Sequence, residues 1–91
     1  MVPFEEKEAE LKEVAISDRE KELIVFNDDV NTFDHVIDTL VKICRHSVEQ
    51  AEQCAWIIHH RGKCSVKVGQ WNSLKPMRDA ICDRGIQAEV V

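Results

Sequence analysis

Leu23, Ile24, Val25 and Phe26 form a short apolar run that stops at Asn27, Asp28 and Asp29, after which the periodicity of the chain changes. The segment from Lys21 to Phe26, β-branched and aromatic, predicts a first strand ending at this Asn-Asp-Asp turn. Phe33, Val36, Ile37, Leu40, Val41 and Cys44 then recur at the spacing of one helix face and predict a first helix. Ser47 and Gln50 match a capping box, so a second helix is expected from Val48 to about His59. Val48, Ala51, Cys54, Ala55 and Ile58 make its inner face, with Trp56 and Ile57 off that stripe. Gly62 stops this helix, and Cys64, Val66 and Val68 alternate with Ser65 and Lys67 as in a strand with one buried face. After Gly69, a loop carrying Trp71 is expected to lead to a third helix capped by Asn72 or Ser73, with Pro76 in its first turn. Leu74, Met77 and Ile81 form its buried face and Gly85 closes it, and Ile86, Ala88 and Val90 alternate as a last strand. The order strand, helix, helix, strand, helix, strand suggests one sheet covered on one face by helices, an α+β architecture.

Charge divides this chain in two. Residues 1–22 hold eight acidic and four basic side chains, four of the five excess negative charges of the whole, and the remaining body is near neutral. Residues 1–19, with Pro3 and no glycine, are expected to form a flexible acidic extension, although Leu11, Val14 and Ala15 have helical spacing; residues 20–91 are expected to form the folded core. No basic stripe is present, which argues against nucleic acid and anionic membrane as partners. No apolar run approaches the roughly 18 residues of a membrane span, and the N-terminus lacks the apolar core of a signal peptide, so a cytoplasmic setting is the default expectation.

Two adjacent carboxylates between a strand and a helix need a reason. A strand-to-helix turn wants one capping side chain, and Asn31 can supply it by accepting a backbone N–H near Asp34, which leaves Asp28 and Asp29 surplus to capping. Surplus acceptors beside an apolar face suit a ligand with a positive group next to a hydrophobic one, although a solvated turn also uses such residues. His59 ends the second helix, where its ring can face what the inner face encloses or simply complement the helix dipole. Catalysis has little support: there is no Gly-rich phosphate loop, no GxSxG and no HExxH. Cys54 and His59 lie five positions apart, about 140° around a helix, and would not meet easily. The four cysteines, Cys44, Cys54, Cys64 and Cys82, form no CxxC pair and are expected as small buried apolar side chains rather than disulfides or metal ligands.

Taken together, the strand ending Asn27-Asp28-Asp29, the helix continuing Val36-Ile37-Asp38-x-Leu40, and the second helix with Glu49-Gln50-Ala51 and Ile58-His59-x-x-Gly62-Lys63 resemble the ClpS adaptor family. The resemblance covers roughly residues 21–91, and it is the order and spacing of the pieces that make it specific. It implies a three-stranded antiparallel sheet packed with three helices, and a non-enzymatic adaptor with no catalytic residue, cofactor or metal. Such an adaptor recognises N-degron proteins that start with Leu, Phe, Tyr or Trp and hands them to the N-terminal domain of a Clp AAA+ unfoldase, of the ClpA or ClpC type. By position, the resemblance implies that Asn27, Asp28 and His59 hold the ligand's α-amino group, with Asp29 and Asn31 in support. Phe33, Val36, Ala55 and Ile58 would line the side-chain pocket.

Several positions depart from the family pattern. Asn31 stands for a Thr, Phe33 for a Met at the pocket mouth, and Ala55 for a Met at its floor, which narrows the rim and enlarges the floor and leaves the preference among the four first residues open. The family's unfoldase-facing Glu and Lys align near Asn72 and Met77, which cannot form that ion pair. Two other readings compete: a stalk-like protein-interaction module that recognises internal surfaces, and a metal-responsive domain using Cys44, Cys64 or Cys82 with His46 or His60.

Overall fold

β1 (Lys21–Phe26) is the centre of the sheet, and every other element is arranged about it. The computed structural model describes residues 19–91, so the extension expected over residues 1–19 lies, but for Arg19, outside the described residues. After β1 come α1 (Phe33–Cys44), α2 (Val48–Arg61), β2 (Lys63–Gly69), α3 (Trp71–Asp83) and β3 (Ala88–Val90). The strands are antiparallel in the order β2-β1-β3, the three-stranded antiparallel sheet and element order that were expected. Among the described residues no helix is long and apolar enough to cross a membrane.

One core joins the helices to the sheet: Leu23 and Val25 from β1, Val36, Leu40 and Cys44 from α1, Ala51, Cys54, Ala55 and Ile58 from α2, with Val66, Leu74, Ile81, Ile86 and Ala88. Most of the inward positions read from the periodicity are therefore buried or half-buried; Phe33, Val48 and Val68 are exposed. Val48, expected inside, is exposed at the first position of α2. Val68 is 50% exposed although it follows the alternation of Cys64 and Val66. The cause is a β-bulge: Leu23 pairs with Lys67 and Ile24 with Ser65, so Val66 is an extra residue and the alternation reverses beyond it. Lys67 then turns toward the helices and donates from Nζ to the Cys44 carbonyl at 3.2 Å.

Two helix starts differ from expectation. α1 is capped by Thr32, whose Oγ1 accepts the His35 N–H at 3.1 Å, and not by Asn31. α3 begins at Trp71, not in a loop after it, because the Gln70 carbonyl accepts the N–H groups of Ser73 and Leu74, each at 3.0 Å. Asn72 and Ser73 are thus inside α3 and Pro76 falls in its second turn, where it cannot donate to the Asn72 carbonyl. Ser47 caps α2 as expected, accepting the Gln50 N–H at 3.1 Å, and α2 runs two residues past His59 to Arg61. Gly62 ends it at φ 92°, a left-handed conformation that glycine adopts without strain.

The cysteines are not uniform. Cys44 and Cys54 are buried, Cys64 is half-buried and Cys82 is exposed, so the expectation of burial fails for Cys82. Burial pushes the Cys44 thiol up to about 11 and the Cys64 thiol up to about 12, which keeps both protonated and unreactive at neutral pH. His46 is buried, with Nε2 2.7 Å from the Val66 carbonyl, a contact that requires the proton on Nε2. Among the described residues no three His, Cys, Asp or Glu side chains converge as a metal site would need.

Candidate functional site

The turn after β1 is held from both of its flanks. Asn27 donates its backbone N–H to the Gly62 carbonyl at 2.8 Å, which fixes the start of the turn against the C-terminal end of α2. One residue earlier, Phe26 donates to the Gln87 carbonyl at 3.0 Å, tying the same point to the segment before β3.

Asp28 organises the rest of the turn. Its Oδ1 accepts the backbone N–H groups of Val30 at 2.9 Å and Asn31 at 2.7 Å, and its Oδ2 accepts the Asn31 side-chain amide at 2.5 Å. Asp28 is therefore not surplus to the turn but its main internal acceptor. These bonds favour the ionised form, the Asn31 N–H most of all, and hold the carboxyl below its ordinary value against a smaller opposing effect of burial. A carboxylate offers about four lone-pair directions, so three accepted bonds leave Oδ2 one to spare.

Asn31, expected as a helix cap, is a bridge instead. Its amide nitrogen bonds both Asp28 and, at 2.8 Å, the carbonyl of Gly85 in the α3–β3 loop. Two contacts from α1 reinforce the same junction: His35 Nε2 lies 2.9 Å from the Arg84 carbonyl, and Arg84 Nη2 donates to Asp38 Oδ2 at 2.6 Å. The bonds to Gly85 and Arg84 were not legible in the sequence, because each joins residues about fifty positions apart.

Asp28 predicts a dependence on pH. Its folded pKa lies below the unfolded value of about 3.9, so the stabilisation it supplies is complete above that value and disappears as pH falls through the folded pKa. The urea midpoints of the wild type and of Asp28→Asn should differ by a constant amount above about pH 5 and converge as the pH is lowered below about 4. A difference that does not change between pH 7 and pH 3 would show that the charge plays no part in the turn.

The other expected site residues fall into two groups. Asn27, Asp29 and His59 are exposed, and Asp28 and Asn31 are half-buried beside them. Val36, Ala55 and Ile58 are buried in the core where α1 and α2 pack. Phe33 stands apart at 42% exposure, with its ring edge-on to His59, centroids 6.5 Å apart and planes at 89°. Phe33 of α1 and His59 of α2 thus meet at the surface, while Val36, Ala55 and Ile58 lie in the core. His60 meets His59 at 5.0 Å and is stacked on Trp56 at 4.2 Å. That stack was missed, though the i, i+4 spacing of Trp56 and His60 on one helix could have signalled it.

A groove of about 540 Å³ lies elsewhere, along α2, lined among the described residues by Glu49, Glu52, Gln53, Trp56 and Ile57. It contains none of the expected site residues. The turn is the stronger candidate, because hydrogen bonds fix Asp28 and Asn31 there and leave Asp28 an unused lone pair at the surface.

A β-α-α-β-α-β sheet domain with an acidic turn at the end of its central strand, anchored to the end of the helix that bears His59, defines a class of small α+β proteins. The chain belongs to the ClpS family: the family model for the ATP-dependent Clp protease adaptor protein ClpS matches residues 16–89. The ATP-dependent Clp protease adapter protein ClpS of Campylobacter jejuni subsp. jejuni serotype O:23/36 (strain 81-176) is 45% identical over 40 residues, 44% of this chain and 42% of the relative. The ClpS of Campylobacter jejuni subsp. doylei matches to the same extent. The matched stretch therefore spans less than half the length of these relatives. Among solved structures, Agrobacterium tumefaciens ClpS2 bound to L-phenylalaninamide superposes with a TM-score of 0.77 over 82% of this chain and 96% of that one. At 16% identity this likeness establishes the fold.

Proposed function

We propose that this protein is an adaptor that binds the free α-amino group and the large hydrophobic or aromatic first residue of a protein chain, and delivers that chain to a Clp AAA+ unfoldase-protease. The observation that carries the reading is the 2.8 Å bond from Asn27 to Gly62, which joins the acidic turn to the end of the helix bearing His59. A free α-amino group has a pKa near 8 and is a cation with three N–H donors at neutral pH. The Asn27 side-chain oxygen, the remaining lone pair of Asp28 and a His59 ring nitrogen are acceptors suited to those three donors. Internal peptide segments carry no such cation.

The first side chain would enter between Phe33 at the rim and Val36, Ala55 and Ile58 behind it. Burying a Leu or Phe side chain contributes roughly 1.5–3 kcal/mol, and charge-assisted hydrogen bonds to the amine add to it. Micromolar affinity is the order of magnitude expected from these terms after the cost of association. The ligand held by the Agrobacterium relative, an amino-acid amide with a free α-amino group and an aromatic side chain, has the chemistry this reading requires. Delivery would fall to the N-terminal domain of a ClpA- or ClpC-type unfoldase, in the cytoplasm, with the acidic extension as the engaging segment.

Fluorescence anisotropy with labelled peptides beginning Leu, Phe, Tyr or Trp tests the reading, each peptide compared with its N-acetylated form. Acetylation removes the cation and one or more donors and should weaken binding at least tenfold. Equal affinity for free and acetylated peptides would overturn the amine-binding assignment and favour a module that recognises internal surfaces.

A further inference from the structure

Cys54 and Cys64 are brought together by the fold, although neither serves the turn or the proposed pocket. Cys64 pairs with Val25 across β1 and β2, and residues directly opposite in an antiparallel pair project to the same face. Val25 is 1% exposed, so that face is the one the helices cover. Cys54 enters the same core from α2, and the two thiols are in hydrogen-bonding contact. Both are free, with Cys54 buried and Cys64 half-buried, so Cys64 is the sulfur that solvent reaches. The chain between them carries the α2 part of the candidate site: Ala55, Ile58, His59 and Gly62, whose carbonyl accepts the Asn27 N–H at 2.8 Å.

We propose that Cys54 and Cys64 are a modification site, a reversible disulfide pair that a low-molecular-weight disulfide closes, stapling α2 to β2 around the α2 half of the site. Thiols already in contact need only small side-chain and backbone shifts to reach the Cβ separation of about 3.8 Å that a disulfide takes. Cys64 loses its proton and its thiolate attacks one sulfur of the external disulfide, giving a mixed disulfide and releasing one small thiol. Cys54 then loses its proton and attacks the Cys64 sulfur, which releases the second small thiol. Two protein thiols are oxidised, one external disulfide is reduced, and the two protons end on the released thiols. Burial pushes the Cys64 thiol up to about 12, so the first step is slow at neutral pH, and the pair stays open in a reducing compartment. Cys44 is 0% exposed, so an external oxidant cannot start there. Because the staple joins groups that already touch, it should hold the site in place rather than distort it. Only this consequence for binding rests on the amine-binding reading; the bond itself does not.

Full-length protein is equilibrated with oxidised glutathione, its remaining thiols are alkylated, and its mass is measured before and after trypsin. Closure removes two hydrogen atoms, about 2 Da, without adding glutathione. Trypsin cuts after Arg61 and Lys63, so the fragments carrying Cys54 and Cys64 should emerge joined, and dithiothreitol should part them. Cys64→Ala and Cys54→Ala should each abolish the joined fragment, while Cys82→Ser should keep it. The oxidised wild type should melt roughly 5–15 °C above the reduced form, a difference missing in Cys64→Ala. Its affinity for a free-amine peptide should stay within about threefold of the reduced form. Glutathione retained on Cys64 without a bridge would overturn the proposal, as would a joined fragment that instead contains Cys44 or Cys82. A joined Cys54–Cys64 fragment with an unchanged or lower Tm, or with affinity reduced more than about tenfold, would overturn the staple by showing that closure strains the fold. Equal binding of free and acetylated peptides by the reduced protein would end the amine-binding reading separately, and the joined fragment would still decide the bond.

Discussion

Replacing Asp28 by alanine should weaken binding of a free-amine peptide by about 2–4 kcal/mol, roughly thirty- to thousandfold in Kd. Two losses are combined in that figure. The carboxylate is the only charge proposed to face the ligand's ammonium group, and it also accepts three hydrogen bonds that shape the turn around Val30 and Asn31. Asp28→Asn separates them. Its side-chain oxygen can still accept the two backbone N–H groups now bonded to Oδ1, while the negative charge is gone. If the charge matters most, the asparagine variant loses most of the affinity that the alanine variant loses, yet keeps more of the folding stability. Anisotropy titrations and urea denaturation of both variants check this directly. An asparagine variant with wild-type affinity would sink the charge argument and leave Asp28 a turn-forming residue.

The elements that were legible in the chain are those specified by neighbouring residues. β1 ends at Phe26 and α1 spans Phe33 to Cys44, because the apolar periodicity changes sharply on either side of the acidic turn. Ser47 with Gln50, and Gly62 with its left-handed backbone, set the ends of α2 by short-range hydrogen bonds. What escaped was decided at a distance. Asn31 and Thr32 are both able to cap α1, and the choice falls to Thr32 because the Asn31 amide is committed to Asp28 and to Gly85, 54 residues away. Val68 points outward because of a bulge, which is a property of the pairing between β1 and β2 and not of β2 alone. The early start of α3 has no side-chain signal, since Gln70 makes no capping hydrogen bond through its side chain.

The candidate site divides along the same line. Two adjacent carboxylates in one short turn marked Asn27, Asp28 and Asp29 from the sequence alone, although Asp28 is not surplus: it is the acceptor that builds the turn. The role proposed for His59 rests on resemblance, because a histidine at a helix end has an ordinary explanation in the helix dipole. The bond that brings the turn to α2 joins positions 27 and 62 through backbone atoms, which no side-chain pattern encodes.

Leu40→Ala should do the reverse of Asp28→Asn, with a large loss of stability and little loss of affinity. Leu40 is 1% exposed in the core shared by the helices and the sheet, and truncating such a leucine costs about 3–5 kcal/mol, from lost burial and the cavity left behind. A domain of about 70 residues has a total stability of roughly 4–10 kcal/mol, so this one change removes a large part of it, and Tm should fall on the order of 10–30 °C. Below its new transition the variant should bind peptide within about threefold of the wild type, since Leu40 is neither at the turn nor among the proposed pocket residues. Peptide at a hundredfold excess over Kd should also return about 2.7 kcal/mol of stability to Leu40→Ala, because ligand that binds only the folded state shifts the equilibrium by mass action. The same peptide concentration should return little to Asp28→Ala, whose Kd has risen above it or near it. Thermal unfolding of the two variants with and without peptide therefore decides whether affinity follows the carboxylate or the fold. If Leu40→Ala, measured while folded, loses as much affinity as Asp28→Ala, the loss in the latter reports a damaged fold and the carboxylate has no separate role.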